Sequence, residues 1–213
     1  MKIINFGGVG GCDITQSIQR ILTDCPRYPY DWLLTNQSFI IRTLLNNKCF
    51  FDFEDRTKLH GKEIHVEEMD GMSVHDFPDS FDEKIYNTLV PIIKEKYERR
   101  MNRMNDALFS EEPILFVRQA NNTETSKDWT NRFHCVRDDF PKWIEFIKYL
   151  NTYFKKPIYL LVITTNEKEY EENQLIDYDN VMVRFFNDKI VENTDHQHYL
   201  LSNLINDIYK KIN

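Results

Sequence analysis

The run IINF-GGVGG-CDITQSIQRIL constrains the fold more than any other stretch of the chain. Four of its six glycines stand at Gly7, Gly8, Gly10 and Gly11, between a short apolar strand and Cys12. The order reads as strand, tight turn and amphipathic helix, with Ile14, Ile18, Ile21 and Leu22 on one broad helical face. Glycine permits backbone angles and close approaches that a Cβ blocks. A cysteine at the mouth of the helix that follows is favoured as thiolate by the peptide dipoles and unpaired N–H groups there. The junction is therefore the leading site candidate, although it names no reaction by itself.

Further along, 113–118, 157–163 and 181–186 read as short apolar strands, separated or followed by helices near 139–153 and 195–212. The segment 33–46 is expected to be helical, as is a longer region from 81 to 109 that Pro91 kinks or divides. Residues 119–138 and 165–180 read as connections, and 48–78 as short extended pieces turning at Gly61 and Gly71. Apolar strands alternating with helices predict a single α/β domain over 1–213, with a mostly parallel layered sheet in a Rossmann-like three-layer architecture. The C-terminal helix, with Leu200, Leu201, Leu204, Ile205, Ile208 and Ile212, covers that sheet.

With 41% apolar and 29% charged residues and a net charge of −7, the chain suits a globular domain rather than a general nucleic-acid binder. MKIINF holds no signal-length apolar run, and nothing approaches the length of a membrane span, so cytoplasmic residence without membrane partners is expected. Cys12, Cys25, Cys49 and Cys135 are widely spaced, without a CxxC pair, and are expected as thiols. His60 with His65 and His196 with His198 supply two donors each, which does not complete a zinc site, so no metal is expected. GGVGG is not a P-loop pattern and shares with dinucleotide turns only glycines after a strand; no cofactor is expected.

Three features accompany Cys12. His75, in MDGMSVHDF, can act as a base if its loop reaches the thiol, with Asp31 or Asp76 orienting the imidazole. The plain alternative leaves Cys12 a small buried hydrophobe, His75 a local hydrogen-bonding residue and Asp76 a turn residue. Pro26 and Pro29 forbid a helix through CPRYPYDW, so an ordered aromatic loop is expected, with Tyr30 and Trp32 lining a pocket or simply covering the core. Lys96, Arg99, Arg100 and Arg103 form the clearest basic cluster. With Arg118 at a strand end they suit oxyanion recognition, or else a solvated face paired with Glu95 and Glu98.

In order along the chain, FGGVGGC, YPYDWL, FFDF, VHDF, KYERRMNRM and ILFVR resemble a bacterial and viral family of papain-like cysteine peptidases, over roughly the first three-fifths of the sequence. The resemblance implies a hydrolase in which Cys12 attacks a peptide or related amide carbonyl after His75 takes its proton. It implies Asp31 or Asp76 as orienter and amides of the turn at Gly10 and Gly11 as the oxyanion hole. Arg99, Arg100, Arg103 or Arg118 would then select an acidic group on a peptide or small-molecule substrate. Two other readings stand beside it. One is a glycosyltransferase-like enzyme holding an activated donor. The other is a non-enzymatic module with a protein partner.

Overall fold

The computed structural model describes residues 1–47, 57–60, 63–66, 71–73, 76, 78, 83–120, 137–173 and 180–212. Its centre is a four-stranded sheet of β1 (Lys2–Gly8), β6 (Ile114–Gln119), β7 (Ile158–Thr164) and β8 (Val181–Phe185), adjacent in that order and parallel throughout. Strands buried on both faces read as unbroken apolar runs, which is why ILFVR and IYLLVI were legible as sheet.

Successive side chains of a strand point to opposite faces, and the two cores follow that alternation. Ile4, Phe6, Ile114, Phe116, Leu160 and Val162 pack with α2 (Gln37–Asn46), α3 (Glu83–Phe109) and α4 (Phe140–Phe154). Ile3, Leu115, Val117, Leu161 and Ile163 pack with α1 (Gly11–Ile21) and α6 (Thr194–Ile212). The layered α/β arrangement is thus present. Each fully buried aliphatic side chain contributes about 1.5–3 kcal/mol of transfer free energy.

A second sheet is antiparallel, in the order β2 (Leu33–Thr35), β5 (Gly71–Ser73), β4 (Glu63–Val66), β3 (Thr57–His60). It corrects two expectations. The segment 33–46 is not all helix: Leu33, Leu34 and Thr35 pair with Ser73, Met72 and Gly71, and α2 begins only after Asn36. Gly71 accordingly lies in a strand rather than a turn, whereas Gly61 falls outside the described residues. Pro91 does not divide this region into two helices: α3 runs through it, with the ring exposed to solvent. The connection 165–180 contains a short helix, α5 (Glu167–Asn173).

Candidate active site

The site is built at the carboxyl end of β1. Pairing with β6 is regular from Lys2 to Asn5, breaks, and resumes at Gly8 opposite Gln119. Within the break Gly7 and Gly8 adopt φ of 68° and 112°. A Cβ on Gly7 would strike the Thr35 hydroxyl, and one on Gly8 the Gln119 carbonyl. Glycine is therefore required twice, by conformation and by space. The Gly7 N–H donates to Asn5 Oδ1 (2.8 Å) and the Gly8 N–H to Thr35 Oγ1 (2.9 Å).

Gly10 then caps α1 without a side-chain hydrogen bond, and Cys12 is the second residue of the helix, half-buried. N–H groups of a first helical turn lack intrahelical acceptors, so this mouth presents donors. The expected thiolate, however, is not favoured. Burial, followed by the negative charge of Asp13 and more weakly of Asp31, pushes the Cys12 thiol up to about 12. The helix end does not outweigh two carboxylates and lost hydration. Cys12 and Cys25 both carry thiols, while Cys49 and Cys135 lie outside the described residues.

Asp31 is 3% exposed. Its carboxylate accepts from the Tyr28 N–H (2.9 Å) and from Thr15 Oγ1 (3.2 Å), so it ties the aromatic loop to α1. Burial raises its pKa, opposed by those bonds and by the charges of Arg100 and Arg27. Asp76 sits against α3, where it pairs with Lys96 and accepts from the Tyr97 hydroxyl (2.7 Å). His75 lies outside the described residues.

The arginines expected to meet a substrate mostly meet the protein. Arg100 is buried, donates to the Asp31 carbonyl (3.2 Å) and lies over the Tyr97 ring. Arg103 donates to the Arg27 carbonyl (2.8 Å). Arg118 is wholly buried in a two-pronged pair with Asp138, and its remaining donors reach the Phe6 and Thr35 carbonyls (3.2 and 3.1 Å). A fully desolvated guanidinium survives only with its donors satisfied, and these are satisfied internally. Arg99 is exposed and pairs with Glu95. Tyr30 is likewise a core residue rather than a pocket wall. It is 1% exposed, edge-on to Phe6 and Phe39, with its hydroxyl bonded to Thr43 Oγ1 (2.8 Å). Trp32, half-buried with φ of 69° and under the Arg27 guanidinium, remains at the rim of the loop.

Four residues that hold this site escaped the sequence reading: Asn5, Thr15, Thr35 and Asp138, all buried. Asn5 carried a usable signal, a carboxamide inside an apolar strand, where burial requires hydrogen-bond partners. His198, read in the sequence only as one of two donors short of a zinc site, is buried on α6 and bonds Asp13 Oδ1 (3.1 Å), while Gln197 donates to Asp13 Oδ2 (3.2 Å). This contact fastens the first turn of α1 to the neighbouring helix on the same face of the sheet.

No protein-family model matches the chain, and neither the curated proteins nor the solved structures supply a match. Among the described residues no group of three or more His, Cys, Asp or Glu side chains is placed to hold a metal ion. No described helix is long and apolar enough to cross a membrane.

Proposed function

We propose that the chain is a cysteine-dependent hydrolase of a peptide or related amide, with Cys12 as nucleophile and His75 as base. One observation carries the reading: a single face of α3 anchors both segments that accompany Cys12. Arg100 holds the carbonyl of Asp31, whose carboxylate bonds Thr15, one turn beyond Cys12. Tyr97, three residues before Arg100 and so on the same helical face, holds Asp76, the residue after His75. The ordered resemblance to papain-like cysteine peptidases supports the same assignment.

The chemistry follows from a thiol that is protonated at rest. His75 takes the Cys12 proton as sulfur attacks the substrate carbonyl, the C–S bond forms and the π pair moves to oxygen. Amides of the turn around Gly10 and Gly11 stabilise that oxyanion. Collapse breaks the C–N bond, and the imidazolium returns its proton to the departing amine. Water, deprotonated by the same imidazole, then cleaves the thioester to a carboxylic acid and restores the thiol. The raised thiol pKa makes the base indispensable, since no standing thiolate is available.

Labelling of the folded protein with a peptidyl chloromethyl ketone tests this reading. Label should go to Cys12, vanish in Cys12→Ser and slow by about a hundredfold in His75→Ala, the lower end of what a general base supplies. Equal labelling of wild type and His75→Ala would defeat the assignment. The transferase alternative loses its main support, because Arg100, Arg103 and Arg118 are engaged by the protein itself.

A further inference from the structure

We infer that Asn5 is a positioning residue for Cys12: its carboxamide fixes both ends of the glycine bend and thereby sets where the first turn of α1 stands. Its bearing on catalysis rests on the hydrolase reading, whereas its hold on the thiol does not.

Asn5 is 2% exposed, on the face of β1 that packs against α1. A buried carboxamide is costly unless bonded, and here both of its hydrogens and its oxygen are engaged. Oδ1 accepts from the Gly7 N–H (2.8 Å), where the bend begins. Nδ2 donates to the Gly11 carbonyl (2.8 Å), where the helix begins, and to Thr15 Oγ1 (2.7 Å) in its first turns. The opposite amide orientation would set a donor against a donor at Gly7 and an acceptor against an acceptor at Gly11. One side chain therefore spans the bend and determines its own rotamer.

The span matters because Gly7 and Gly8 occupy positive φ, where the backbone has wide freedom and must be restrained from outside. Thr35 restrains the outer side at Gly8, and Asn5 restrains the inner side at Gly7 and Gly11. Cys12 follows Gly11 directly, so the Gly11 carbonyl and the Cys12 amide belong to one peptide plane. Holding that carbonyl aims that amide. Thr15, already receiving a hydrogen from Asn5, has one proton of its own, shared between the Gly11 carbonyl (2.9 Å) and Asp31 (3.2 Å). Asn5 is thus joined through Thr15 to the carboxylate whose charge bears on the thiol. Aspartate lacks both donors, glutamine is a methylene too long for the same span, and serine reaches one end only.

The test is the pH profile of Cys12 alkylation by iodoacetamide in the whole protein, read by mass spectrometry. In Asn5→Ala the bend relaxes, the thiol regains hydration, and its profile moves toward ordinary thiol values. Alkylation of Cys12 at pH 8 should rise about tenfold per unit of that movement. A folded Asn5→Ala with an unaltered Cys12 profile overturns the inference, since a merely structural role would lower the melting temperature alone. Should that variant not fold, wild-type protein decides. The Asn5 carboxamide hydrogens should exchange with solvent far more slowly than those of exposed Asn46, and their NMR signals should shift when Cys12 is alkylated. Fast exchange with unmoved signals overturns it. None of these readouts needs a substrate, so failure to find hydrolysis leaves this result standing, and a null here leaves the labelling test of His75 untouched.

Discussion

Arg118 and Asp138 face each other in a fully buried, two-pronged ion pair, with Nε–Oδ2 and Nη2–Oδ1 both at 2.7 Å. The pair joins β6 to the start of α4, and the same guanidinium holds the Phe6 and Thr35 carbonyls. Removing one partner of such a pair costs about 3–5 kcal/mol, because the other charge is left buried and alone. Arg118→Met is therefore expected to destabilise the protein by about that much in urea unfolding. Arg118→Met with Asp138→Leu should recover part of the loss, since no lone charge then remains.

Cys12 makes an alkaline prediction. Its folded pKa of about 12 exceeds the usual thiol value of 9.0, so between those values the folded state holds a proton that the unfolded state has lost. Stability from this group is complete below pH 9 and declines as pH rises toward 12, with an upper-limit slope of about 1.4 kcal/mol per pH unit. The stability difference between wild type and Cys12→Ala should therefore shrink as urea melts are moved from pH 8.5 to pH 10.5. A difference independent of pH over that range would contradict the raised thiol.

The contrast between these groups explains how far the sequence could be read. Strands such as Ile158–Thr164 are visible because burial on both faces demands an unbroken apolar run, and amphipathic α1 because its aliphatic spacing demands one covered face. Leu33–Thr35 was misread because two leucines fit either element, and the strand that decides, Gly71–Ser73, lies far along the chain. For the arginines the sequence left substrate recognition and protein-internal pairing both open, for a related reason. Sequence displays side-chain charge but conceals acceptors, and the partners of Arg100 and Arg103 are the backbone carbonyls of Asp31 and Arg27. Thr15 and Thr35 gave no signal, since a threonine in a helix or strand is ordinary until its hydroxyl is seen to bond other segments, Asn5 and Asp31 for Thr15 and the Gly8 N–H for Thr35.

Asp31 bears on Cys12 through charge, and its removal separates that effect from burial. Asp31→Asn keeps the shape and an acceptor for the Tyr28 N–H, sets an NH2 donor opposite Thr15 Oγ1, and deletes the negative charge that raises the thiol. Cys12 alkylation at pH 8 should quicken a few-fold, less than the full shift would allow, because desolvation and Asp13 are the larger causes. The stability consequence has a definite sign. With the folded carboxyl pKa raised above 3.8, the folded state binds the proton more readily, so Asp31 favours folding below pH 3.8 and loses that contribution as pH rises through its folded pKa. Comparison of the two proteins from pH 3 to pH 7 should show Asp31→Asn gaining relative stability with rising pH.

Tyr97 isolates the anchoring of the segment beside His75. Its ring is buried in the core and its hydroxyl donates to Asp76, so Tyr97→Phe removes one bond to a charged acceptor and leaves the packing. Such bonds contribute about 1.5–3 kcal/mol, and the partial exposure of Lys96, which continues to pair with Asp76, places the loss at the lower end. Urea unfolding should register that cost. The informative measurement is the labelling rate of Cys12 by the peptidyl electrophile in protein that is still fully folded. Loosening the Asp76 anchor should slow labelling in Tyr97→Phe, while alkylation of Cys25 by iodoacetamide stays the same. If α3 serves only to support the core, labelling will match wild type despite the lower stability, and the link between this helix and the thiol chemistry is lost.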